Sequence, residues 1–261
     1  MKDLLVIDGA ERALPKGAQF DWAGLCDPSD AELELVRTQF ALHPLAIEDA
    51  LNPQQIPKIE MYGQHLFIVA RTAAIEEGEK ICYGQTAIFL GNNFLVTVRI
   101  GSTRAHNDLR ARLESDPDRL AEGPDYAAHA ILDFIVDGYQ PVLERLEEGV
   151  QVLEERAIDV FPDPSTIRRI FRLRRQFRRF VRIIGPMVEV CDRLATTEYA
   201  VIDPGARIWF RDVLDHVRRA MVRMDGLRET LASIVETAAL LEQHRQGDMT
   251  RQLAEIGRAH V

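Results

Sequence analysis

The chain has 261 residues, 46% hydrophobic and 28% charged, enough to bury a sizeable core in one or two domains, which excludes a largely disordered protein. A formal net charge of −9 argues against bulk attraction to nucleic acid or anionic lipid. Cys26, Cys82 and Cys191 are odd in number and widely spaced, so they resemble buried or incidental thiols of a reducing compartment more than a disulfide or zinc framework, and neither a signal peptide nor a run of 18 apolar residues is present.

In chain order, residues 4–7 read as a first strand. Asp27-Pro28-Ser29 then leads into a helix with Ser29 as N-cap, Glu32 as its capping-box partner, and Leu33, Val36, Phe40 and Leu42 as the core-facing stripe. A second, short helix starts at Pro44 and is stopped by Pro53. Residues 57–60 are extended, and 65–71, 86–90 and 94–99 are β-rich, the last two joined as a hairpin at Gly91-Asn92-Asn93. Short strands mixed with helices predict an α/β (α+β) N-terminal domain with a mixed sheet over residues 1–122, ended by Gly123-Pro124-Asp125.

From Tyr126 onward the pattern is helical, in three long segments divided by Phe161-Pro162-Asp163-Pro164 and Asp203-Pro204-Gly205. The first, 126–158, carries a candidate kink at Pro141, and the second, 165–194, one at Pro186. Short Pro-containing turns favour antiparallel packing, so residues 123–203 are expected to form two long antiparallel helices. The third segment, 204–254, reads as a single long helix. Its Val213, Val217, Ala220, Met224, Leu227, Leu231, Ile234, Ala238 and Leu241 alternate in steps of four and three. Gly226 costs only about 1 kcal/mol within it, so one helix on the order of 60 Å long is expected. A seam of that length needs partners, either earlier helices of the chain, copies of itself, or both.

Groups that could carry chemistry are few. The second long helix holds Arg168, Arg169, Arg172, Arg174, Arg175, Arg178, Arg179 and Arg182 around an apolar stripe of Ile170, Leu173, Phe177, Val181, Ile184 and Val188. Charge pairing with Glu144, Glu147, Glu148, Glu154 and Glu155 of the preceding helix explains much of that density without a ligand. No phosphate loop, nucleophile elbow or zinc-protease motif is present, and His43, His65 and His129 sit in structural contexts, so no enzyme is predicted. Carboxylates in unusual company remain: Glu48 and Asp49 on a short apolar helix, Asp133 on the first long helix, and Asp212, Asp215 and His216 near the start of the third. Asp212 and His216 are four apart and share a helix face. Taken singly, each group is better explained by capping or surface solvation than by a ligand.

The stretch His43-Pro44-Leu45-Ala46-Ile47-Glu48-Asp49-Ala50-Leu51-Asn52-Pro53, followed by Pro57-Lys58-Ile59-Glu60 and His65-Leu66-Phe67-Ile68-Val69, closely resembles the signature of CorA-type divalent-cation transporters. Matches continue through residues 91–98, 123–126, 131–137, 141–144 and 209–216, across nearly the whole chain. The resemblance implies the cytoplasmic part of a homopentameric channel in a bacterial inner membrane, whose third helix is the stalk entering the pore. It also implies a weak regulatory Mg2+ between protomers, with Zn2+ or Co2+ as alternatives. By motif position the shared ion falls on Asp49 of one protomer and Asp212 of its neighbour, with Glu48, Asp133 and His216 as candidates for an adjacent secondary site.

Family members continue into two membrane helices that are not found here. Residues 255–261 look like adapter read-through in place of the first of them, so the expectation is a truncated frame. Two rival readings stand beside this one. One is a Zn2+-transporting relative, although oxygen-rich candidates mildly favour Mg2+. The other is a freestanding helical adaptor or nucleic-acid-binding module using the arginine-rich helix, although the net charge speaks against nucleic acid as a partner.

Overall fold

The structure, a computed structural model, describes residues 10–12, 20–76, 80–101, 107–159 and 164–259. The strand expected at residues 4–7 lies outside them. The strands are β1 (Ala10–Arg12), β2 (Asp21–Cys26), β3 (Lys58–Tyr62), β4 (His65–Glu76), β5 (Lys80–Gly91) and β6 (Phe94–Ile100). The helices are α1 (Asp30–Gln39), α2 (Pro44–Leu51), α3 (Asn107–Glu114), α4 (Pro117–Leu120), α5 (Pro124–Asp137), α6 (Tyr139–Asp159), α7 (Pro164–Thr196) and α8 (Arg207–Ala259), the last preceded by a 3-10 turn, Pro204–Ala206. They form two compact units, one of residues 1–142 and 182–221, the other of residues 143–181 and 222–261.

The first unit is built on a mixed six-stranded sheet in the order β1-β2-β6-β5-β4-β3, in which only β2 and β6 run parallel. Successive side chains of a strand face opposite ways, so a strand buried at consecutive positions must be covered on both faces. β4 meets that condition. Its Phe67 and Val69 join Phe89, Val96 and Val98 of neighbouring strands in a core with Leu33 and Val36 of α1 and Ala46 and Ala50 of α2. The alternate residues Leu66, Ile68, Ile88, Leu90 and Leu95 are as deeply buried on the other face, where α5 lies against β4, β5 and β6. The unit is therefore three layers, helix on sheet on helix.

Local sequence chemistry sets these elements as expected. The Ser29 N–H donates to Glu32 Oε2 at 2.7 Å and the Glu32 N–H to Ser29 Oγ at 3.4 Å, closing the capping box on α1. Pro44 opens α2, where the His43 Nδ1 accepts the Leu45 N–H at 3.2 Å. Asn92 and Asn93 turn β5 into β6, pairing Gly91 with Phe94. Any Cβ at Gly91 would collide with the Phe94 ring, so only glycine fits there.

Three helical expectations need correction. The first long segment is two helices, because Pro141 has no N–H for the Asp137 carbonyl and its ring crowds that oxygen, and the chain separates α5 from α6 at Gly138. In α7, which continues through Pro186, the buried stripe runs Ile170, Leu173, Phe177, Phe180, Ile184, Met187. Stepping three from Phe177 selects Phe180, so Val181 and Val188 lie at the margin of the stripe, half-buried. Glu147, expected to face the arginines of α7, accepts from Arg223 of α8 at 2.6 Å.

The seam of α8 is borne out: Val213, Val217, Ala220, Met224, Leu231 and Ile234 are buried, with Leu227 and Ala238 half-buried. The side chain of Leu241 lies outside the described residues. At 53 residues α8 is about 80 Å long, beyond the 60 Å expected. In the second unit α6 and α7 run antiparallel, so close at Gly149 that a Cβ there would sit 3.0 Å from Leu173 Cδ1. Among the described residues no helix is long and apolar enough to cross a membrane.

Candidate metal site

The site begins with how α5 and α8 are set in register within the first unit. Gly123 takes φ +127°, open to glycine, and delivers the chain to Pro124 at the first turn of α5. The neighbouring Asp125, 5% exposed, accepts the Asp203 N–H at 2.9 Å, and Asp203 in turn accepts the Gly205 N–H at 2.7 Å. The approach to α8 is thereby tied to the start of α5. Apolar packing continues the alignment, with Trp209 5.0 Å from Tyr126 and Phe210 5.8 Å from His129, ring centre to ring centre.

Further along, the two helices present acidic residues one turn apart to a single imidazole. Asp133 and Asp137 of α5 lie 3.7 and 3.6 Å from His216 Nδ1, and Asp212 of α8 lies 3.9 Å from His216 Nε2. These distances are too long for hydrogen bonds. Donor atoms of Asp133, Asp137 and His216 all fall within 4.8 Å of one another. A cleft of about 400 Å³ lined by residues 73–76, Asp137, Gly138 and Pro141 opens beside Asp137.

Whether the group suits a cation is answered by Asp133. Its Oδ1 is buried without a hydrogen-bond partner, and burial above all, then the charge of Asp137, with a smaller push from Asp212, holds its carboxyl above the usual range despite the opposing effect of His216. A carboxylate so placed is short of positive charge. Two donors about 2.1 Å from a shared ion stand about 3.0 to 3.4 Å apart, so the 3.6 and 3.7 Å spacings need only slight contraction or one intervening water. The residues fit a small divalent cation. Asp133→Asn is accordingly expected to raise the metal-free melting temperature by a few degrees at neutral pH, since it removes a disfavoured charge, and to leave no such gain in acid, where Asp133 is protonated. A lower melting temperature at neutral pH would mean that His216 already compensates that charge.

Asp49 and Glu48 stand in another part of the unit. Ala46 and Ala50 turn one face of α2 into the core, leaving Glu48 exposed and Asp49 half-buried. Asp49 accepts from Gln55 Nε2 at 2.5 Å and from Lys58 Nζ at 2.6 Å. The C-terminal end of α2 is held by the buried Gln85, whose Nε2 donates to the Ala50 carbonyl at 2.7 Å, and by the half-buried Arg71, whose Nη1 donates to the Pro53 carbonyl at 2.6 Å.

Of the residues singled out from sequence, Asp133, Asp212 and His216 are thus brought together, while Asp49 and Glu48 are not part of that group within one chain. Asp137 was missed. Its signal was its place four residues after Asp133, the same spacing that links Asp212 to His216. The arginines Arg172, Arg174, Arg175 and Arg178 of α7 are exposed in the second unit.

A family described as "CorA-like Mg2+ transporter protein" matches residues 17–256. The putative metal ion transporter YfjQ of Bacillus subtilis is 28% identical over 236 residues, 90% of this chain and 72% of that protein. The cobalt/magnesium transport protein CorA of Thermotoga maritima is 25% identical over 219 residues, 83% of this chain and 62% of that protein. In fold, the complete CorA magnesium transporter of Methanocaldococcus jannaschii superposes with a TM-score of 0.78 at 20% identity, over 91% of this chain and 75% of that one. With the match running through both units and every element that builds the site, the chain belongs to the CorA-like Mg2+ transporter family.

Proposed function

We propose that this chain is the ion-sensing and gating part of a divalent-cation transporter, acting on the cytoplasmic side of a bacterial plasma membrane as one of five copies, and that Mg2+ is the ion sensed. The single observation that carries the reading is the meeting of Asp133, Asp137 and Asp212 around His216, with a buried Asp133 oxygen left unpartnered. The relatives' names, for magnesium, cobalt and metal ions, agree with it.

A bound divalent ion supplies positive charge that turns repulsion between carboxylates into attraction. The chain's own residues do the rest. α5 and α8 hold Asp133, Asp137, Asp212 and His216 in place through the packing of Trp209 and Phe210. Across a protomer interface, Asp49 of one copy and Asp212 of the next would hold the gating ion, with Glu48 beside them. Weak binding by a few carboxylates suits a sensor of millimolar ion, because Mg2+ keeps most of its waters. Occupancy then shifts the equilibrium between tight and loose assemblies without refolding a subunit. The role is sensing, with no catalysis of a covalent step. Zn2+ is the second reading, favoured by the imidazole nitrogen in the donor set.

The test is a melting and sedimentation series in millimolar Mg2+, with Zn2+ in parallel. Mg2+ should raise the melting temperature or promote assembly of the unmodified chain, and Asp49→Ala combined with Asp212→Ala should abolish the response. A double variant that responds like the unmodified chain would place the site elsewhere.

A further inference from the structure

Asp49 already has a cation. Lys58 Nζ stands 2.6 Å from Asp49 Oδ2 and 2.8 Å from Glu60 Oε2, so one ammonium bridges two carboxylates. Both carboxylates are held as well: Gln55 Nε2 donates to the second Asp49 oxygen, Oδ1, at 2.5 Å, and Tyr62 Oη donates at 2.9 Å to the same Glu60 Oε2 that the ammonium reaches. Lys58 sits on β3, at the edge of the sheet, with its ammonium 5.7 Å from the Phe67 ring centre and a quarter of its side chain exposed. Next to it, Arg193 Nη1 donates to the Ile59 carbonyl at 2.8 Å, so the strand is pinned where the lysine leaves it. Lys58 is thus fixed on β3 opposite Asp49 of α2, unlike a surface pair that forms and breaks at no consequence.

Building on the reading of Asp49 as an ion ligand, we infer that Lys58 is a tethered competitor for that ion: its ammonium neutralises Asp49 in the metal-free protein, and a divalent cation binds there by displacing it. The geometry supports an exchange with modest loss, because Lys58 keeps Glu60 as an acceptor after releasing Asp49. A tethered group competes at an effective concentration in the millimolar range or above, so its presence raises the level of free ion needed to occupy Asp49. The lysine therefore sets the threshold of the sensor. It also means that the metal-free protein does not leave Asp49 as a bare repelling charge, since its own chain supplies a monovalent stand-in.

The test uses the 261-residue chain, with the Mg2+ midpoint read from melting temperature and from sedimentation. Lys58→Met keeps the unbranched stem beside Phe67 and removes the charge, and should lower the midpoint about tenfold. Lys58→Arg, which keeps a cation on Asp49, and Lys80→Met, which removes an exposed lysine at the start of β5, should both stay near the unmodified midpoint. Lys58→Gln carries the same expectation as Lys58→Met and replaces it if the methionine variant does not fold. An unchanged midpoint in both charge-removing variants, or an equal shift in Lys80→Met, overturns the proposal while leaving the ion-ligand reading intact. No Mg2+ response in the unmodified chain would overturn both.

Discussion

Replacing His129 with Phe is expected to remove about 3 kcal/mol of acid sensitivity from the stability of the chain. His129 lies on α5 with ring centres of Tyr126, Trp209 and Phe210 between 5.8 and 5.9 Å away, and its Nδ1 is buried without a hydrogen-bond partner. Burial is the main cause that pushes its pKa down from 6.5 to about 4; Asp212 opposes the shift and Arg119 adds slightly to it. The folded state therefore holds a neutral imidazole, while the unfolded chain takes up a proton once the pH falls below about 6.5. Stability is complete above that pH and drains away as pH falls towards about 4, the sign expected of a depressed histidine. Phe has a similar ring and no proton to bind, so the variant's profile should be flatter through this window and nearly superimposable above it. Denaturant unfolding at several pH values between 7 and 4 measures the difference. Parallel profiles would mean that folding leaves the proton affinity of His129 unchanged.

Much of this architecture was legible because it rests on local chemistry. The Ser29 capping box, Pro44 at the start of α2, and the Gly91-Asn92-Asn93 turn each act within a few residues, so the sequence shows both partners at once. The seam of α8 was equally visible, because a 3.5-residue period repeated over four heptads leaves little room for another reading. The errors came where tertiary contacts choose between near-equivalent options. Phe180 and Val181 are adjacent apolar residues, and only the packing of α7 decides which of them turns inward. Gly138 and Pro141 both weaken the same turn, and the sequence does not show that the weakness becomes a division between α5 and α6.

The candidate site was legible one residue at a time and not as an arrangement. Spacing showed that Asp212 and His216 share a face, but the meeting of α5 with α8 depends on Asp125 accepting from Asp203, 78 residues away in sequence, which no local pattern announces. The same limit hid the Lys58 bridge. Asp49, Lys58 and Glu60 all lie within matched motif stretches, yet nothing in the motif says that the lysine satisfies the aspartate.

Gln85→Leu is expected to destabilise the chain by about 2 kcal/mol, a loss of roughly 4–8 °C, and to weaken its response to divalent ion. Gln85 is fully buried in β5, yet its two ends serve α2: Nε2 donates to the Ala50 carbonyl at 2.7 Å, and Oε1 accepts from Arg71 Nη1 at 3.2 Å, the same nitrogen that reaches the Pro53 carbonyl at 2.6 Å. Leucine fills similar space and bonds to neither. The Ala50 carbonyl would then be left unpaired in the core, which costs more than the net worth of the hydrogen bond removed. Arg71 would keep Pro53 and so hold the residues after α2, while the last turn of the helix, with Asp49 one residue before Ala50, would lose its tie to the sheet. A loosened Asp49 should bind both Lys58 and a competing ion less well, so the Mg2+ response should shrink in amplitude. Denaturant unfolding gives the first quantity and the Mg2+ melting series the second. Unaltered stability would show that another group satisfies the Ala50 carbonyl, and lost stability with a full Mg2+ response would show that the Asp49 turn is held without Gln85.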